Sequence, residues 1–285
     1  MVLVSYYYFD DGVYAAANLN TFLRSPPIEG VHYIFYGVDI DLSPQVSNAW
    51  PNASNYVCKS VSNKLFDFQG FKLSIGEFLS YKDYEFLIVL NSTVSGPFAP
   101  NHFRTRWPDF FTNLFLDNEG SDVGLAGSTI SILDSRRPEG LYFNSIYDLN
   151  WPIYPHVQSF CICMDKACAK ALLETTYFTD IPDTFESRLD AIAHYEINLS
   201  TTILKMGRKL RCLVPGTNVE LQKGKLMLGS AFTTPHCDFG LPKGFKERDL
   251  SPYEGVFMKT RRNQSPLDLT LTYSISNHMK NGGSH

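Results

Sequence analysis

The chain has 285 residues, of which 44% are hydrophobic and 19% charged, and a formal net charge of −4. That length suits one large α/β domain with a substantial core. The charge balance argues against nucleic acid as the main partner, because phosphate backbones demand a concentrated positive face. The opening MVLVSYYYFDDG has no basic leader, and no apolar run reaches the roughly 18 residues of a membrane span, so a cytoplasmic protein is expected. Six cysteines without an export signal read as reduced thiols. The alternation in Phe160-Cys-Ile-Cys-Met164 fits a strand better than a zinc site.

In chain order, Val2–Phe9 is an apolar, aromatic run that suits a buried first strand, and Asp10-Asp11-Gly12 turns it. Tyr14–Arg24 has helical spacing and stops at Ser25-Pro26-Pro27. Val31–Tyr36 and Tyr56–Ser60 read as strands. Asp67–Tyr81 reads as a helix with Phe68, Phe71, Ile75, Phe78 and Leu79 on one face. Phe86–Leu90 is a central strand. This alternation predicts an α/β fold with a mostly parallel central sheet flanked by helices, Rossmann-like and single-domain. Further on, the pattern predicts a helix over Trp107–Leu116, strands over Val123–Ile132 and Val157–Met164, and a helix over Lys166–Tyr177. A long helix over Ser187–Met206 stops at Gly207, and a strand over Leu210–Val214 follows it. From Lys223 onward the chain reads as loop-rich, with strand-like pieces at Gly255–Lys259 and Leu269–Ile275. The expected division is one domain over residues 1–280, with residues 1–100 binding a donor and 101–265 facing an acceptor. Residues 281–285 form a structureless tail.

Neither GxGxxG nor GxxxxGK[ST] is present, and GxSxG and HExxH are absent as well. What remains is a set of polar residues directly after predicted strands: Asp10 and Asp11, Asp39 and Asp41, Asn63 and Asp67, and Asn91-Ser92-Thr93. A parallel sheet gathers such residues along one edge, where open α/β sheets bind ligands.

Five stretches, in this order, carry a resemblance. They are Asn63-Lys-Leu-Phe-Asp67-Phe, Leu90-Asn-Ser-Thr-Val-Ser-Gly-Pro97, His156-Val-Gln-Ser159, His194-Tyr-Glu-Ile-Asn-Leu-Ser200, and Pro252-Tyr-Glu-Gly-Val-Phe-Met-Lys259 with Arg262. Together they resemble the GT-A-fold glycosyltransferases of plants, algae and large viruses, similar also to bacterial rhamnan-synthesis enzymes. The likeness runs from about residue 5 to 265.

The resemblance implies a nucleotide-sugar-dependent glycosyltransferase that moves a sugar, with xylose or a deoxyhexose as guesses, from a UDP-sugar to an oligosaccharide or glycoprotein-glycan acceptor. The reaction would be inverting, in the cytoplasm, or in the host cytosol for a viral chain. A retaining transferase and a non-catalytic glycan-binding protein on a decayed transferase fold are the alternatives.

Glu196 is the expected catalytic base, because a carboxylate in hydrogen-bond reach of a sugar hydroxyl removes its proton as the new C–O bond forms. His194 and Asp190 are rival bases. Donor-binding residues are expected at Tyr8, Phe9, Asp39, Asn63, Asp67, Asn91, Ser92, Thr93, Lys259 and Arg262. Acceptor-binding residues are expected at His156, Gln158 and His194, and Trp107 and Trp151 are either sugar platforms or core.

After the central strand the family pattern is Asn-Asp-Ser, whereas this chain has Asn91-Ser92-Thr93. The acid best placed to touch a metal is therefore missing. A Mn2+ or Mg2+ ion could still be held by water and by other residues, with Asp39, Asp41, Asp67 and His236 as candidates. The favoured expectation is a metal-free diphosphate site neutralised by Lys259, Arg261 and Arg262.

Overall fold

The computed structural model describes residues 1–99, 105–116, 122–232, 237–238 and 250–260. The four early apolar runs form parallel strands β1 (Val2–Tyr8), β2 (Val31–Val38), β3 (Tyr56–Val61) and β4 (Phe86–Asn91), side by side in the order β3-β2-β1-β4. Tyr8 pairs with Gly37, Gly37 with Ser60 and Tyr7 with Asn91, so all four carboxyl ends reach one edge together.

The first-half helices are α1 (Ala15–Leu23), α2 (Ser43–Ala49) and α3 (Asp67–Ser80). The alternation of side chains along each strand sorts the core into two layers. Leu3, Tyr7, Ile34, Leu87 and Val89 meet Phe68, Phe71, Ile75 and Phe78 of α3. Val4, Tyr6, Phe35, Ile88 and Leu90 face Leu19, Phe22 and Leu23 of α1, together with Trp50. Gly70 decides how closely α3 approaches, since a Cβ there would lie 2.5 Å from the Tyr7 ring.

After the two-residue β5 (Val94–Ser95) come α4 (Trp107–Leu116) and β6 (Val123–Gly127). Then follow β7 (Ile130–Asp134), α5 (Pro138–Tyr147), β8 (Ile153–Val157), β9 (Cys161–Asp165) and α6 (Lys166–Leu173). Helix α7 (Arg188–Asp190) leads through a π-helical stretch, Ala191–Ile197, into α8 (Asn198–Lys205). The last elements are β10 (Lys209–Cys212), β11 (Val219–Gln222), β12 (Lys225–Leu228), β13 (Cys237–Asp238), α9 (Pro252–Gly255) and β14 (Met258–Lys259).

One nine-stranded sheet, β12-β11-β10-β6-β9-β4-β1-β2-β3, runs through both halves of the chain. It is mostly parallel, with β9 antiparallel between β4 and β6 and an antiparallel β10-β11-β12 edge. This is the expected α/β architecture. Among the described residues no helix is long and apolar enough to cross a membrane.

Two expected strands are each divided in two. Val123–Ile132 breaks at Ser128-Thr129, and Val157–Met164 gives way to β8 and β9 around Gln158-Ser159-Phe160. At the first break the chain passes from the large sheet to the three-stranded β13-β7-β8 sheet, and at the second it returns. The polar pairs Ser128-Thr129 and Gln158-Ser159 mark these turns and are tied to one another: Thr129 donates to Gln158 Oε1 at 2.7 Å, and Cys161 N–H to Gln158 O at 3.4 Å. Helix α6 ends at Leu173, earlier than its expected reach to Tyr177. Helices α2 and α5 and the β11–β12 hairpin appear where the sequence reading had none. Residues 255–259 give a helical turn and a two-residue strand in place of one strand. Leu269–Ile275 and the tail lie outside the described residues.

Candidate functional site

At the carboxyl edge of the sheet, Asp11 Oδ1 accepts the N–H groups of Val13, Tyr14 and Ala15 (2.9, 2.8 and 3.1 Å) and so opens α1. Asp41 does the same for α2 by accepting Ser43 N–H at 2.9 Å and its hydroxyl at 2.6 Å, which lowers its pKa. Both acids are spent on helix starts. Asp39 sits exposed after β2 at φ 53°, its N–H given to Val61 O at 2.9 Å. Tyr8 is buried in the core, and that burial, then Asp10 and Asp11, raises its phenol pKa. Phe9 is half-buried beside it. Tyr7 donates to Asn63 Oδ1 at 3.3 Å, linking the ends of β1 and β3.

The end of β4 is a closed hydrogen-bond corner. Ser92 Oγ donates to Phe9 O at 2.8 Å and accepts Phe9 N–H at 3.2 Å, while Ser92 N–H reaches Tyr7 O at 2.9 Å. Asn91 Oδ1 accepts both the N–H and the hydroxyl of Thr93 (3.0 and 2.5 Å). Thr93 O accepts the N–H and hydroxyl of Thr260 (2.8 and 2.9 Å). Fully buried Asn18 donates to Ser92 O at 2.8 Å and to Thr260 Oγ1 at 2.7 Å.

These bonds fix β14 against β5, where Lys259 pairs with Val94. The Lys259 ammonium is thereby held over the Phe160 ring, 5.9 Å from its centroid. Just before β14, Val256 adopts φ 62°, a conformation β-branched residues rarely take, and backbone strain of this kind clusters at functional sites.

A second corner lies beside the first. Asp67 begins α3 directly after Phe66, which also has a positive φ (52°, with ψ −139°). Asn91 Nδ2 donates to Asp67 Oδ2 at 3.1 Å. Ser159 Oγ lies 2.6 Å from Asp67 Oδ2 and 2.5 Å from Glu196 Oε1. Burial and then the Glu196 carboxylate raise the Asp67 pKa, against the Ser159 hydrogen bond and the Lys259 charge.

Glu196 is half-exposed on the π-helical stretch, between buried Tyr195 and Ile197. Tyr195 packs its ring 5.2 Å from Phe68 and 5.3 Å from Phe71, so the segment bearing Glu196 is locked to the helix bearing Asp67. Single π turns inside α-helices recur at functional sites.

The structure therefore brings together Phe9, Asn63, Asp67, Asn91, Ser92, Thr93, Glu196 and Lys259 through shared partners. His156, Gln158 and His194 lie in the wall behind, 7%, 6% and 8% exposed. His156 Nδ1 is 3.1 Å from Tyr154 O. Tyr147 hydroxyl meets His194 Nδ1 at 2.5 Å, Phe185 stacks on the His194 ring, and burial lowers the His194 pKa. Asp190 is engaged in a capping box with Ser187 and meets the Tyr142 hydroxyl at 2.5 Å. Trp107 is core, edge-on to Phe257 at 5.2 Å, and Trp151 stacks on Tyr154. Arg261, Arg262 and His236 lie outside the described residues.

Nothing in the sequence pattern marks Asn18 or Thr260 as part of this site, and Ser159 is signalled only by closing one of the quoted motifs.

Among the described residues, no three His, Cys, Asp or Glu side chains gather to hold a metal. The end of β4 offers an amide and two hydroxyls already committed to neighbours, so its residues do not fit a divalent cation.

The chain matches no protein-family model and no curated protein sequence. Among solved structures it is similar to a mannosyltransferase of Pyrobaculum calidifontis in complex with GDP-Man and Mn2+, with a TM-score of 0.42 and 10% identity over 74% of this chain. It spans only 54% of that enzyme's length. It is also similar to the galactosyltransferase LgtC in complex with donor and acceptor sugar analogs, with a TM-score of 0.49 and 12% identity over 98% of this chain and 96% of that one. A glycosyltransferase involved in glycosylation of the major capsid of PBCV-1 gives 0.43 and 12% over 98% of each chain. At these TM-scores the likenesses carry no argument about activity.

Proposed function

We propose that the chain is an inverting glycosyltransferase that moves a sugar, of the xylose or deoxyhexose class, from a UDP-sugar to an oligosaccharide or glycoprotein-glycan acceptor in the cytoplasm. The observation that carries this reading is the half-exposed Glu196 carboxylate, presented by a π-helical turn at the carboxyl edge of a mostly parallel sheet. It stands beside the polar strand ends and Lys259. In this reading Glu196 takes the proton of the acceptor hydroxyl as that oxygen bonds to the anomeric carbon, and the bond to the diphosphate oxygen breaks to release UDP. Lys259 meets the diphosphate charge, and Phe9, Asp39 and Asn63 line the nucleoside side. The closed corner at Asn91–Thr93 shapes the backbone under the diphosphate and binds no cation, which supports a metal-free mechanism. His156, Gln158 and His194 form the acceptor-side wall.

Thermal unfolding with UDP-sugars, with and without Mn2+ and EDTA, tests the reading. A UDP-dependent rise in Tm that EDTA leaves intact is expected, together with sugar transfer to a glycan acceptor. No shift with any nucleotide would overturn the transferase reading, and a shift without turnover would assign a binding protein. A product with the donor's anomeric configuration would make the enzyme retaining, with Glu196 positioning the acceptor.

A further inference from the structure

The Ser159 hydroxyl stands between two carboxylates, 2.6 Å from Asp67 Oδ2 and 2.5 Å from Glu196 Oε1. Both are hydrogen-bond distances, yet a hydroxyl carries a single hydrogen and can donate only once. If both acids were ionised, one contact would set oxygen lone pairs against each other at 2.6 Å or less, beside a second negative charge. We infer that Asp67 and Glu196 share one proton through Ser159, so that the pair carries a single negative charge and acts as one acid–base unit. In the balanced arrangement one carboxyl donates its O–H to Ser159 Oγ, and Ser159 donates its own to the other carboxylate. Moving both hydrogens along this line passes the negative charge from one carboxylate to the other and leaves the total charge of the pair unchanged.

The surroundings support one charge rather than two. The Lys259 charge acts on Asp67, while the buried phenols of Tyr7, Tyr177 and Tyr195 lie near Asp67 and bring no charge. Asn91 Nδ2 supplies a neutral donor to Asp67 Oδ2. Burial and the Glu196 carboxylate hold the Asp67 carboxyl above its usual range.

Ser159 is a positioning residue here, and the unit exists without any nucleotide. The inference thus goes beyond the transferase reading and is tested independently of it. Infrared spectroscopy of the nucleotide-free protein at about pH 7, where ordinary carboxyls are ionised, reads the C=O stretch of a protonated carboxyl directly. The wild-type protein is expected to show this band, and Asp67→Asn and Glu196→Gln are each expected to lose it with unchanged far-UV circular dichroism. Ser159→Ala removes the bridge and is expected to move the pH at which the band disappears. Millimolar Mg2+ or Mn2+ alone is expected to leave the band in place. Absence of the band in wild type, its survival in both carboxyl variants, an unmoved titration in Ser159→Ala, or its displacement by the cation would each overturn the proposal.

Discussion

The two polar corners of the site lie side by side and have opposite hydrogen-bond balances. At Asn91–Thr93 every donor found has an acceptor: Ser92 bonds Phe9 twice, Thr93 bonds Asn91 twice, and Thr260 and Asn18 close the remaining carbonyls. At Asp67–Ser159–Glu196 acceptors outnumber hydrogens. A saturated corner is rigid and chemically quiet, because each buried polar atom is already paired. An under-donated corner must recruit a proton, which makes it the place for acid–base chemistry. Asn91 links the two, since its carbonyl serves the first and its amide the second.

The largest expected effect breaks the reactive corner. Glu196→Gln keeps shape and size but removes the base, and should lower transferase turnover by roughly 10²–10⁴-fold, with Tm close to wild type. Initial rates on the UDP-sugar that shifts Tm give the measurement, and retained turnover would remove Glu196 from the chemistry. Next comes the quiet corner. Ser92→Asp places a carboxylate on the buried Phe9 carbonyl and should cost about 2–4 kcal/mol in urea unfolding, without bringing Mn2+-dependent activity. A stable, Mn2+-activated Ser92→Asp would show a metal site that lacks only its acid. Ser92→Ala, which strands the Phe9 backbone groups, should cost about 1–3 kcal/mol. Lys259→Ala should weaken UDP binding by about tenfold, equal to 1.4 kcal/mol, and isothermal calorimetry would read it. Equal affinities would mean that Lys259 serves only Asp67 and the Phe160 ring.

Much of the quiet corner's position was legible in sequence. A run such as Phe86–Leu90 has to be buried, so the polar residues after it have to fall at a strand end, and parallel pairing collects such ends. What the hydroxyls do there was not legible. Ser92 bonds across to Phe9 and Thr93 to Thr260, and the second of these contacts joins residues 167 positions apart. The Asp67–Ser159–Glu196 contact was hidden for the same reason, since Ser159 meets residues 92 and 37 positions away. Hydrophobic pattern gives the period of an element, and two polar residues between apolar runs read equally as a turn or as a polar pair within one strand. The π-helical stretch was equally invisible, because Ala191–Ile197 keeps the composition of an ordinary helix.

The smallest prediction concerns the wall behind the reactive corner. His194 is buried against Phe185 and Tyr147, and burial lowers its pKa, with Asp190 pulling the other way. In the unfolded chain a histidine titrates near 6.5, so between that value and the lower folded pKa the unfolded state binds more protons. Stability from the neutral ring is therefore complete above about pH 6.5 and is lost as pH falls through the folded pKa. His194→Gln keeps an acceptor for the Tyr147 hydroxyl but cannot titrate. Urea midpoints measured from pH 8 to pH 5 should fall more steeply for wild type than for His194→Gln, and the six remaining histidines cancel in the difference. Parallel curves would mean that the ring charges at no cost in the fold, and that the wall at His194 is open to water like the Glu196 face beside it.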